Sequence, residues 1–265
     1  MRWAVVAVVA GVAVVAAIAT MSAPAVRREV VAIKKLSVEQ ATELVKENPT
    51  TLDFFSLNTL SPDAAKALAN YKGRLYLDRL TTISIEAIEA FSNCKADLSL
   101  CGLTKLSDQQ AEALADHKGF LYLGNLETLS DQQAEALSRH EGGLLLNSLT
   151  TISDEAAEAL SYSRGDLVLG GLTTLTDQQA EELAKHKGLL SLRGLTTLSV
   201  RQAEAFANHL DKLYLYGLTT LSTEAARALA QRDEWLQLDG LTTLSQEAVE
   251  ELRVNRKIRL PDKFR

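Results

Sequence analysis

Gly194–Ser199 reads GLTTLS, and the same six residues stand at 217–222 and 240–245, with GLTTLT at 171–176. The spacing is 23 residues each time, and a fixed period of this size is the signature of a chain built from stacked units. Working outward, a Leu-x-Leu pattern starts at Leu52, Leu75, Leu98, Leu121, Leu144, Leu167, Leu190, Leu213 and Leu236, with a last fragment at Ile258, one residue early. With each unit numbered from its first Leu, position 6 is Leu in all nine units and position 9 is Leu or Ile. Position 14 is Ala, Ile or Val, and position 17 is Leu or Phe.

The apolar period changes within each unit. Alternation in Leu-x-Leu predicts a short strand, and the three-residue step from position 14 to 17 predicts a helix. Position 10 is Ser in eight units and Thr176 in the other, residues whose hydroxyl caps the first turn of a helix. Gln110, Gln133, Gln179 and Gln202 follow three residues later, where a capping box needs them. Gly73, Gly119, Gly142, Gly165 and Gly188, all at position 22, are expected to supply a flexible turn from helix to strand. A single unit buries too little apolar surface to offset the ordering of its backbone, so units must stack.

The pattern L-x-L-x-x-L-x-x-L-S-x-x-x-A-x-x-L resembles the leucine-rich-repeat family, in its helix-bearing variety, over residues 52–260. The resemblance implies an α/β right-handed solenoid with short parallel strands on the concave side and helices on the convex side. It also implies a protein-binding module. The Asn or Cys usual in that family at position 6 is Leu here, and Thr at position 8, present in eight of nine units, is expected to replace the missing ladder of hydrogen bonds. Residues 28–51, with Val30, Ile33, Leu36, Ser37, Ala41 and Leu44 in phase, look like a degenerate capping repeat before the nine units and terminal fragment of 52–265.

Residues 1–25 are a different kind of segment: Arg2, then an Ala/Val run from Trp3 to Ala19, and no further charge until Arg27. The run fits a signal peptide with small-residue sites at Ala17-Ile18-Ala19 and Ala23-Pro24-Ala25. It also fits a retained anchor, being close to the roughly 20 residues that span a bilayer. Arg27, Arg28, Lys34 and Lys35 favour a cytoplasmic downstream side, whereas the signal pattern favours a secreted, periplasmic or anchored extracytoplasmic domain. The two Cys residues, Cys94 and Cys101, are too few for a disulfide framework.

The formal net charge is −6. Five bases and Glu29 fall in the first 35 residues, leaving −10 for the remainder, so the basic footprint that nucleic acid requires is missing. No nucleotide, hydrolase or metalloprotease motif appears, and no cofactor is expected. His117, His140, His186 and His209 share position 20 with Cys94. A metal ladder is one reading of that column; a cation at the negative end of each helix is the other. Glu89, Glu112, Glu135, Glu158, Glu181 and Glu204 fill position 15 and should form a solvated row on the convex face. If positions 1 and 3 face the core, positions 2 and 4 face the concave surface. There the sequence places Tyr76, Asp78, Tyr122, Asn147, Arg193, Tyr214, Tyr216 and Asp239, the candidate contacts for a protein partner, Tyr and Arg being typical energetic centres of interfaces. The alternative is a structural spacer of the cell envelope without a selective site.

Overall fold

A computed structural model describes residues 28–47 and 50–265; the segment 1–25 lies outside them. One sheet of 11 parallel strands runs in chain order: β1 (Arg28–Val30), β2 (Thr51–Asp53), β3 (Arg74–Tyr76), β4 (Asp97–Ser99), β5 (Leu121–Tyr122), β6 (Leu144–Leu145), β7 (Leu167–Val168), β8 (Leu190–Ser191), β9 (Leu213–Tyr214), β10 (Leu236–Gln237) and β11 (Ile258–Arg259). A helix follows each of the first ten: α1 (Val38–Glu47), α2 (Pro62–Leu68), α3 (Ile85–Glu89), α4 (Asp108–Ala115), α5 (Asp131–Ser138), α6 (Asp154–Ser161), α7 (Asp177–Leu183), α8 (Val200–Ala207), α9 (Thr223–Ala230) and α10 (Gln246–Arg253). The strands line the concave side and the helices the convex side of an open solenoid.

Register follows the sequence period. Leu98 pairs with Leu121, Leu121 with Leu144 and Leu144 with Leu167, so every first Leu lies beside the next one. The backbone of each coil is satisfied by the next, as in Leu121 N–H to Gly143 O at 2.8 Å and Leu123 N–H to Leu145 O at 2.9 Å. Positions 1, 3 and 6 are at most 2% exposed in every unit, and with positions 14 and 17 they form one continuous apolar column. Position 9 lies at its edge: Leu60, Ile83, Leu106 and Leu221 are buried, and the others are partly so.

Each helix from α2 to α10 begins on the position-10 hydroxyl, which accepts from the backbone N–H three residues on. The four Gln residues all complete capping boxes. Their side chains also reach the preceding coil, with Gln110 Nε2 donating to Ile83 O at 2.8 Å and Gln202 Nε2 to Leu175 O at 2.7 Å. A cap that serves its own helix therefore also ties two coils together. Ser37 and Gln40 repeat the box ahead of the first full unit, where Leu36 and Ala41 are buried.

The position-22 glycines act differently from expectation. Gly188 alone among the described glycines has positive φ, at 130°. The need is space: a Cβ on Gly119 would lie 2.0 Å from Ala96 O, and one on Gly142 would lie 2.1 Å from Gly119 O. The first Gly of GLTTLS answers a similar demand, since a Cβ on Gly171 would meet Leu149 O at 2.5 Å. The threonine ladder is displaced by one residue. Thr219 Oγ1 donates to Thr196 O at 3.4 Å and Thr242 Oγ1 to Thr219 O at 3.1 Å, all from position 7. Position 8 takes part through backbone bridges such as Thr220 with Thr243.

Candidate functional site: the concave sheet face

Position 20 is an internal column. His117, His140, His186 and His209 are at most 2% exposed and lie one or two residues past the C-cap of the preceding helix, turned inward. They sit among Tyr71, Cys94 and Arg232, which are equally buried. This corrects the reading of these histidines as cations at helix ends. His117 Nδ1 lies 3.1 Å from Phe91 O and its Nε2 lies 3.0 Å from Ala96 O. His209 Nδ1 lies 3.2 Å from Ala184 O, and Asn255 donates to Ala230 O and Arg232 O. His117, His209, Arg232 and Asn255 thus meet carbonyls of the previous coil, some of them groups that a helix end leaves unpaired. His186 Nδ1 instead meets the Ser163 hydroxyl at 3.3 Å, and neither ring nitrogen of His140 has a hydrogen-bond partner among the described residues. The ladder missing at position 6 is thus built at position 20, with mixed residue types.

Burial disfavours charge in this column. It pushes the pKa of His117, His186 and His209 below the ordinary value, and that of His140 down to about 4, with the neighbouring His117 adding to the effect. Arg232, held by the carbonyls of Phe206 and Asp211, is lowered by burial to about 10 and stays cationic at neutral pH. Among the described residues, no group of three or more His, Cys, Asp or Glu side chains is arranged to hold a metal ion.

The concave candidates occupy one face, in three groups. Near the N-terminal end, Asp78 Oδ1 accepts from Ser99 Oγ at 2.5 Å and from the Cys101 N–H at 3.0 Å, and Tyr76 in β3 and Tyr122 in β5 are half-buried on either side of Ser99 in β4. Phe120 lies against Tyr122, with ring centroids 6.3 Å apart. In the middle, Asn147 and Arg193 flank Gly170, where a Cβ would lie 2.5 Å from Asn147 Oδ1 and 2.6 Å from Arg193 Nε. At the C-terminal end, the Tyr214 and Tyr216 rings stand 5.3 Å apart, Tyr216 donates to Gln237, and Asp239 pairs with Arg259 at 2.9 Å.

Sequence reasoning missed the column that precedes the first Leu. Position 23 has the same parity as positions 2 and 4, so alternation carried one step backward would have found it. It holds Lys212 and Trp235, and Lys257 stands in the same place before Ile258, where the last unit is one residue short; with Tyr214 and Glu234 these line a shallow groove of about 440 Å³. Trp235 and Tyr216 are among the exposed large apolar residues, at 40% and 36%.

No family model and no curated protein matches the chain. Among solved structures, a leucine-rich-repeat protein of Leptospira interrogans is similar at a TM-score of 0.33 and 17% identity, over 86% of this chain and 75% of that one. What decides the fold is the molecule itself: parallel strands in one register, each followed by a helix, at the 23-residue step of the sequence. The fold is a leucine-rich-repeat solenoid. On that solenoid the inward columns are nearly constant, the concave columns change from unit to unit, and the convex position-15 glutamates are exposed throughout.

Ser99 gives its proton to Asp78, Cys101 Sγ lies 3.4 Å from Ser99 Oγ, and all four histidines are enclosed in the core.

Proposed function

We propose that the chain is a non-enzymatic, extracytoplasmic binding module that holds a protein partner on its concave sheet face. The observation that carries this reading is the Tyr214–Tyr216 pair beside the groove of Trp235, Lys212 and Lys257. Aromatic side chains with a polar tip contribute large contact area at interfaces for little lost conformational freedom. Here they stand on paired strands with buried Leu neighbours, which hold them in place before any partner arrives. The extracytoplasmic placement rests on the pattern of residues 1–25. Among the described residues, no helix is long and apolar enough to cross a membrane.

A spacer role has its own supporting observation. Gly124, Gly143 and Gly170 contribute no side chain of their own to the middle of the concave face, and nearly identical units suit a rod as well as a receptor. Capture separates the two. The immobilised full chain should retain a partner from a cell-envelope extract, and Tyr214→Ala with Tyr216→Ala should lose it without shifting the thermal melt. Equal retention by both proteins, or retention by neither, would favour the spacer.

A further inference from the structure

We propose that β8 to β11 bind a short acidic segment of the partner protein. This rests on the binding-module reading above and narrows it to a partner chemistry. The three concave columns, positions 23, 2 and 4, are divided by charge along the solenoid. From β3 to β7 they carry Asp78, Asp97 and Asp166 against Arg74. From β8 to β11 they carry Arg193, Lys212, Lys257 and Arg259 against Asp239 alone.

The two halves also differ in how their charges are already engaged. Asp97 pairs with Arg74 at 3.5 Å and accepts from the Phe120 N–H, while Asp78 is occupied by Ser99 and Cys101. On the other half Asp239 holds Arg259, and Lys257 leans on the Asp233 carbonyl. Arg193 and Lys212 have no carboxylate partner among the described residues. Lys212 and Lys257 line the groove with Tyr214 and Trp235, Glu234 being the one carboxylate in its wall, and Arg193 adds a further cation on the side of the neighbouring strand β8. That combination suits carboxylates on either side of an apolar or aromatic side chain.

The patch is short. Its four strands, about 4.8 Å apart, cover roughly 14 Å, the reach of about four residues of extended peptide. A polyanion with a charge on every unit, such as nucleic acid or a polyuronate, would continue past the patch onto Asp166 before β7 and would have no means of sparing Glu234 within the groove. It would also approach a molecule of net charge −6, whose field opposes long anions. A local acidic run on a protein meets the four cations and stops.

The test is selection of a displayed library of random octapeptides on the immobilised full chain, at low and at high salt. The expected result is at least threefold enrichment of Asp and Glu flanking an apolar residue. That enrichment should be lost at high salt and lost in the Lys212→Glu, Lys257→Glu variant, which keeps the wild-type melt because both side chains are exposed. Basic or neutral winners, or acidic winners that persist in the variant, would overturn the proposal. So would tighter binding of an eight-nucleotide deoxythymidine oligomer or a hexameric polyuronate than of any selected peptide. If Tyr214 and Tyr216 are still needed to capture a partner while no acidic peptide is enriched, the binding module stands and the acidic partner falls.

Discussion

His117 and His140 lie face to face inside the solenoid, ring centroids 5.9 Å apart and planes 7° from parallel. His186 and His209 repeat the arrangement at 6.3 Å and 9°. Two adjacent rings cannot both be charged cheaply in such a place, so both pairs are held neutral by burial and by each other. Position 20 is where the coils exchange polar contacts, and its protonation state is coupled to whether they stay stacked.

Stability should therefore depend on pH in a definite direction. A histidine with a folded pKa below its unfolded value near 6.5 binds a proton more readily in the unfolded chain. Its contribution is complete above that value and falls as pH drops toward the folded pKa. For His140, lowered to about 4, the loss across that window is about 3 kcal/mol, and the other three histidines act in the same direction. Urea melts at pH 7.5 and pH 5 should show about 2 kcal/mol of that loss from His140, the remainder falling below pH 5. In His140→Phe the slope between those values should be shallower by about one proton, whereas an unchanged slope would show that the ring is accessible to solvent.

The shared core column predicts a cooperative failure. Leu149 is fully buried at position 6, and Leu149→Asp places a carboxylate where no partner exists, at a cost of about 4 kcal/mol or more. Glu158 on the exposed side of α6 should tolerate Lys within about 0.5 kcal/mol. Thermal melts compare the two, and equal losses would mean that the inward and outward columns are wrongly placed.

Gln133 serves two coils at once: it closes the cap with Ser130 and its Nε2 donates to Leu106 O and to Asp108 at 3.0 Å each. Gln133→Ala should cost about 1–2 kcal/mol through the lost cap and the unpaired carbonyl. Five units carry Ala at this position already, so the coil should keep its backbone. Hydrogen exchange would show faster exchange confined to α5 and its two neighbours, whereas uniform exchange would contradict a local tie.

The period, the inward columns, the helix starts and the four capping boxes were legible in the residues, because each depends on one residue type recurring at one spacing. Position 20 was not. Its occupants include Tyr, Cys, His, Ser, Arg and Asn, and polar types of that kind read as surface until the carbonyls 21 to 26 residues upstream are seen to face them. Gly188 uses the backbone freedom expected of it, whereas Gly119, Gly142 and Gly165 yield to the carbonyl of the coil before, a contact that the local sequence does not contain. The concave face was half legible. Tyr214, Tyr216 and Arg193 follow from parity, while Trp235 and Lys257 stand on the step before the first Leu, where the repeat was taken to begin.

Residues 1–25 should carry the repeat domain out of the cytoplasm. Protease added to intact cells should degrade the domain in the full-length protein, and deletion of the segment should leave it protected. A domain protected in both would support the opposite topology, the one favoured by Arg27, Arg28, Lys34 and Lys35.

The binding account turns on which face the partner covers, and the molecule carries its own control. Tyr214, Tyr216 and Trp235 lie on the concave side, whereas Tyr162, at the C-cap of α6 and 66% exposed, lies on the helical side. Hydroxyl-radical footprinting of the full chain, alone and with the partner it captures, reads both faces in one spectrum. Protection of the three concave aromatic residues with Tyr162 unchanged is the predicted result; protection of Tyr162 with the concave three still oxidised would contradict it.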